Sequence, residues 1–139
     1  MNRLVILDTG PLVAHLFRND NYHIWSVEQW MNIERPLLTC EPVLTEACYL
    51  VRTIPNGSNT ILDFVRRGAL RIAFHLEDHL EPISQLLKKY ANVPMSLADA
   101  CLVRMAESIP GSAILTLDRD FRIYRKSNRT VIPTITPEA

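Results

Sequence analysis

The 139-residue sequence predicts an α/β fold with a mainly parallel sheet. Three observations predict it. Short, wholly apolar runs, LVIL at 4–7 and AILTL at 113–117, read as strands buried on both faces. Stretches with helical apolar spacing alternate with such runs. The breaks carry helix starts and stops, among them Gly10-Pro11, Pro55-Asn56-Gly57 and Gly68.

Element by element, LVIL is broken by Gly10-Pro11, and proline suits the first turn of a helix expected over 11–18. A second helix over 22–33 carries Ile24, Trp25, Val27, Trp30 and Met31, and both tryptophans read as core packing. Leu37-Leu38-Thr39 is a short strand. Pro42 opens a helix to about Ile54, with Val43, Ala47, Leu50, Val51 and Ile54 as its apolar stripe. A helix over 59–67 stops at Gly68, and LRIAF at 70–74 is a strand. Helices follow over roughly 79–91 and 96–109, then the strand AILTL, and TVIP at 130–133 is read as the last strand. No repeat, low-complexity segment or long linker interrupts the chain, so 1–139 reads as a single domain.

Composition narrows the function. Hydrophobic residues make up 47% and charged residues 22%, which describes a soluble globular chain. The formal net charge of zero argues against non-specific coating of nucleic acid, but leaves room for a local basic groove or a metal facing phosphate. Cys40, Cys48 and Cys101 are odd in number and form no CxxC pair. They supply neither a disulfide framework nor a zinc site, and point to a reducing cytoplasm. The opening MNRLVILDTGPLVAHLF is interrupted by Asp8, Gly10 and Pro11, so it reads as neither a secretory signal nor a membrane span. His75 ends a strand and His79 starts a helix, a poor arrangement for shared metal ligation.

Four carboxylates stand out. Asp8 and Asp118 each follow an apolar strand, where open parallel sheets bind ligands. Each also fits a blander role, Asp8 as a helix cap and Asp118 within an Asp118-Arg119-Asp120 turn. Asp118 is preferred over Asp120 because it lies nearer the strand end. Asp99 lies on the apolar face shared by Leu102, Val103 and Ala106, where a lone charge would be costly; alternatively it completes a capping box with Ser96. Glu46 sits at the margin of its helix's apolar stripe, where it reaches inward to a site or, as a marginal Glu more often does, turns out to solvent. Convergent carboxylates without basic partners repel one another, and a hard divalent cation such as Mg²⁺ removes that conflict. Such an ion orients water and stabilises charge on a scissile phosphate.

The segments VILDTGPLVAHL, EPVLTEACYLV, VPMSLADACLVRMAE and AILTLDRDF, in this order, resemble the PIN-domain family and the VapC-type toxins within it. The resemblance covers nearly the whole chain. It implies a three-layer α/β/α sandwich with a mainly parallel five-stranded sheet and an acidic Mg²⁺- or Mn²⁺-dependent endoribonuclease site. The family's acids fall on Asp8 in DTGPL, Glu46 in LTEA, Asp99 in SLADA and Asp118 in TLDRDF. The resemblance assigns Asp8, Asp99 and Asp118 to metal binding, directly or through water. It has Glu46 help hold the metal or position the attacking water. Thr116 and Thr9 fall where the family often has a small hydroxyl residue near the site. No family acid is missing, which implies an active enzyme. The same resemblance implies RNA as substrate, a toxin role and a small antitoxin that occludes the acidic groove. A homodimer is expected, as for many small proteins.

Arg119, Arg122, Arg125, Lys126 and Arg129 crowd the stretch after Asp118, and Arg119, Arg122 and Arg125 are candidate contacts for RNA phosphates. The plainer reading is an exposed basic loop. Two other functions fit the residues less completely. One is a Mg²⁺-dependent phosphatase or phosphotransferase with Asp8 as nucleophile. The other is a non-catalytic RNA-binding module in which the acids serve only as caps.

Overall fold

The computed structural model describes residues 3–137. The chain runs β1 (Val5–Leu7), α1 (Thr9–Leu16), α2 (His23–Asn32), β2 (Leu37–Thr39), α3 (Glu41–Leu50), α4 (Gly57–Arg66), β3 (Leu70–Ile72), α5 (Leu80–Lys89), α6 (Leu97–Ser108), β4 (Ala113–Leu115) and β5 (Thr134–Ile135). The strands form one sheet in the order β3-β2-β1-β4-β5, with every neighbouring pair parallel.

Strand side chains alternate between two apolar layers, as the pleat requires. Ile6, Leu38 and Ile114 face one cluster with Ile83 and Leu86 of α5 and Leu102, Val103 and Met105 of α6. Val5, Leu7, Leu37 and Leu115 face the other, with Leu12 of α1, Ala47 of α3 and Ile61 of α4. Helices therefore cover both faces, giving the three-layer α/β/α sandwich. The central strands β1, β2 and β4 are buried throughout, which is why their sequences read as unbroken apolar runs. β3 lies at an edge, and Arg71 and Ile72 are exposed there.

This strand order has a functional consequence. From β1 the chain builds outward to β2 and β3, then returns to lay β4 against the other side of β1. The boundary between β1 and β4 is thus the topological switch point, where crevices open at the carboxyl ends of strands.

Several elements differ from the sequence reading. The last strand is Thr134–Ile135, not 130–133. Pro133 has no N–H to give to a ladder. Its carbonyl accepts from the Ile114 N–H at 2.9 Å, and regular pairing starts just beyond it. Val131 instead bridges Arg125 in antiparallel fashion. α3 ends at Leu50, with turns continuing to Ile54, and Leu50 is 41% exposed rather than part of the buried stripe, which is Val43, Leu44, Ala47 and Val51. α4 begins at Gly57, where an added Cβ would lie 2.5 Å from the Val51 carbonyl oxygen. Gly68, at φ +79°, adopts the left-handed conformation that ends α4. The tryptophans are half-buried against the second cluster, with Trp30 stacked on His15 at 4.2 Å between ring centroids.

Candidate active site

Asp8 is carried to the carboxyl end of β1, where it is buried and caps α1. Its backbone N–H donates to the Leu115 carbonyl at 3.0 Å, holding it level with the end of β4. One carboxylate oxygen, Oδ1, accepts from the Thr9 N–H at 2.7 Å, and Oδ2 accepts from the Thr116 hydroxyl at 2.7 Å. The Thr116 oxygen in turn accepts from the Asp118 N–H at 2.9 Å. Asp118 then caps a short 3-10 helix, Arg119–Arg122, by accepting from the Asp120 N–H at 2.8 Å. Register decides these contacts: Leu7 pairs with Leu115, so the next residues, Asp8 and Thr116, stand side by side.

Asp99 enters from the first turn of α6. It forms a capping box with Ser96, whose Oγ accepts the Asp99 N–H at 3.0 Å. The Tyr124 hydroxyl donates to Asp99 Oδ2 at 3.0 Å. Capping and a site role do not compete here, because Asp99 Oδ1 has no hydrogen-bond partner among the described residues. Glu46 is exposed on α3.

These four acids line one cavity of about 380 Å³, completed by Thr9, Gly10, Ser96 and Leu117. No Lys or Arg among the described residues lines it. The electrostatics follow. Burial pushes the Asp8 carboxyl up to about 7; the Thr116 and Thr9 hydrogen bonds oppose that rise, and the charges of Asp99 and Asp118 add to it. Burial also raises Glu46, helped by Asp99 and Asp118. Asp99 is raised by burial against the opposing hydrogen bonds of Tyr124 and Ser96. The Tyr124 phenol is raised by burial and by the Asp99 charge beside it, so it stays a donor.

The donor set fits a hard divalent cation, since it is all oxygen and lacks a competing positive charge. The Thr9 hydroxyl is buried beside this cavity without a hydrogen-bond partner among the described residues. Among the described residues no three His, Cys, Asp or Glu side chains are grouped so as to hold an ion between them. The arrangement therefore suits an ion held by one or two carboxylates with several waters, the habit of Mg²⁺.

The basic residues do not act as one patch. Arg119 and Arg122 line a small recess beside Asp118. Arg125 turns away, its Nη1 donating to the carbonyls of Arg122, Ile123 and Tyr124, and it lines a different cavity with Lys89 and Arg104. Asp120 does not line the acidic cavity. His79 Nδ1 accepts from Arg104 Nε at 3.0 Å. Tyr124 is the site residue that sequence reasoning missed. Nothing around it in the chain signals a partner on a helix 25 positions away.

Fold and cavity together define a class: an α/β/α sandwich that presents carboxylates at the carboxyl edge of a parallel sheet. Residues 5–127 match the family model described as PIN domain, and the chain belongs to the PIN-domain family. PIN domains are generally nucleases and typically use divalent metal ions. β5 lies beyond the matched residues. No curated protein sequence matches the chain. Among the described residues no helix is long and apolar enough to cross a membrane.

Proposed function

We propose that the chain is a Mg²⁺- or Mn²⁺-dependent endoribonuclease, one domain over 1–139, that hydrolyses RNA phosphodiester bonds. The observation that carries this reading is the cavity shared by Asp8, Glu46, Asp99 and Asp118 with no Lys or Arg among the described residues lining it. A divalent ion bound there supplies charge stabilisation at the scissile phosphate and lowers the pKa of water. Asp8, Asp99 and Asp118 would hold it, one or two of them directly and the rest through water. Thr9 and Thr116 fix Asp8, and Ser96 and Tyr124 fix Asp99, so the ligands are oriented before substrate arrives. Glu46 is the most open of the acids to solvent, and its raised pKa brings it closer to the basicity a general base needs at neutral pH. It receives the proton of the attacking water. Arg119 and Arg122, in the recess beside Asp118, hold flanking phosphates.

The role we assign is the toxin of a type II toxin–antitoxin pair, resting on the likeness of DTGPL, LTEA, SLADA and TLDRDF to VapC-type toxins. It brings a small antitoxin protein and a homodimer with it. Free thiols at Cys40, Cys48 and Cys101 suit a cytoplasmic setting. A phosphotransferase with Asp8 as nucleophile is less well supported, because Thr9 and Thr116 engage both Asp8 oxygens.

The test is cleavage of a structured-RNA panel with Mg²⁺, with Mn²⁺ and with EDTA, alongside Asp8→Asn and Asp99→Asn proteins purified identically. Discrete metal-dependent cuts that both variants lose are the expected result. Equal cleavage by wild type and variants would sink the assignment of this site.

A further inference from the structure

A second cavity, of about 360 Å³, lies on the α5–α6 flank and has the opposite electrostatic character. Leu86 of α5 is part of its apolar wall, and Lys89, Arg104 and Arg125 converge on it. Its one carboxylate, Glu107, is already satisfied: Arg104 Nη1 stands 3.5 Å away and the Ser127 N–H donates to it at 2.5 Å. Lys89 and Arg125 meet no carboxylate among the described residues, so the cavity carries surplus positive charge.

The two guanidinium groups are also held in place. Arg104 Nε donates to His79 Nδ1, and His79 stacks on Phe74 at 4.6 Å. Arg125 is pinned by the three carbonyls its Nη1 reaches and by its N–H, which donates to the Tyr90 hydroxyl at 2.9 Å. Its Nε and Nη2 donors have no partner among the described residues. Fixed, unspent guanidinium donors are suited to a phosphate oxyanion, because less side-chain entropy is lost on binding.

Buried aromatic side chains that line neither cavity connect residues of the two. Tyr124 donates to Asp99 on one side, packs against Tyr90 at 5.0 Å, and is followed directly by Arg125. Along α6, Arg104 and Glu107 lie about 7 to 12 Å from Asp99 at 1.5 Å per residue.

We propose that this cavity is a second binding site, taking a backbone phosphate of the same RNA strand whose scissile bond lies in the acidic cavity. The identity of the ligand rests on the ribonuclease reading; the anion-binding character does not. The acidic cavity by itself repels RNA until a metal is bound, and an anchor of opposite charge offsets that repulsion.

The test is binding of a fluorescent single-stranded RNA dodecamer in EDTA, by anisotropy, across a KCl series. The proteins are wild type, Lys89→Gln, Arg125→Gln and Lys88→Gln. Lys88 is exposed on the same helix but outside the cavity, so it controls for net charge. Lys89→Gln should weaken binding several-fold at low salt and reduce the slope of log Kd against log salt by about 0.7, the loss of one phosphate contact. Arg125→Gln should do the same, and Lys88→Gln should leave the slope unchanged. Because Arg125 also ties down the local backbone, Lys89→Gln decides the outcome. A Lys89→Gln protein that matches wild type or Lys88→Gln overturns the proposal, as does a wild type that binds no RNA. Metal-dependent cleavage is scored separately. Cleavage with unchanged slopes removes the anchor alone, whereas the predicted slopes without cleavage remove the nuclease reading and keep the anchor.

Discussion

Thr116 donates its hydroxyl to Asp8 Oδ2 at 2.7 Å across 108 positions of sequence, and the same oxygen accepts the Asp118 N–H at 2.9 Å. One buried hydroxyl thus sets the position of two acids at the switch point between β1 and β4.

Replacing that hydroxyl by a methyl of similar shape should uncouple the pair. Thr116→Val leaves the Asp118 N–H without its acceptor and removes the bond that lowers the Asp8 pKa. Mn²⁺ affinity by calorimetry should fall about ten- to a hundred-fold, as when the partners that orient metal ligands are lost. Thr116→Ser should recover most of it. Unchanged affinity in the valine protein would show that Thr116 does not organise the site.

Tyr124→Phe should act on Asp99 through its protonation. The phenol lowers the Asp99 pKa, so its loss lets that carboxyl hold a proton to higher pH. Metal binding then weakens more at pH 6 than at pH 8. A loss of affinity independent of pH would mean that the ring packs against Tyr90 and Phe121 but does not tune Asp99.

Asp8 should make the metal-free protein sensitive to alkali. Its carboxyl is pushed from 3.8 to about 7 in the folded protein, so the folded state binds the proton more tightly than the unfolded chain. The contribution is fully present below the unfolded value and is lost as pH rises through 7; each pH unit between the two values is worth about 1.4 kcal/mol. In EDTA, the melting temperature should fall between pH 5 and pH 8. Asp8→Asn should flatten that decline, and Mg²⁺ should stabilise the wild type more at pH 8 than at pH 6. Parallel pH curves for wild type and Asp8→Asn would contradict this account.

Gly57→Ala tests the fold apart from the site. Its Cβ would meet the Val51 carbonyl oxygen at 2.5 Å and Val51 Cγ2 at 2.9 Å, with no flexible side-chain end to move aside. The expected cost is about 1–3 kcal/mol by urea unfolding. Cleavage per folded molecule should be unaffected, since Gly57 does not line the acidic cavity.

Much of this architecture is legible along the chain. Val5–Leu7 and Ala113–Leu115 are apolar throughout because both faces of those strands are covered. The capping box at Ser96 and Asp99 follows from two residues three positions apart. Elements shaped by distant partners were harder to read. The start of β5 depends on where Ile114 finds the Pro133 carbonyl, and the burial of α3 depends on which of its sides meets the sheet.

The sequence by itself determined which carboxylates exist and that Asp8 and Asp118 follow buried strands, because periodicity and turn chemistry are local properties. Tertiary structure decided that Asp8, Glu46, Asp99 and Asp118 line one cavity, that Tyr124 reaches Asp99, and that Arg125 parts from Arg119 and Arg122 to join Lys89 and Arg104. Those outcomes depend on strand register and helix packing. The β1–β4 pairing that sets Asp8 beside Thr116 joins segments far apart in the chain, and no local pattern records it.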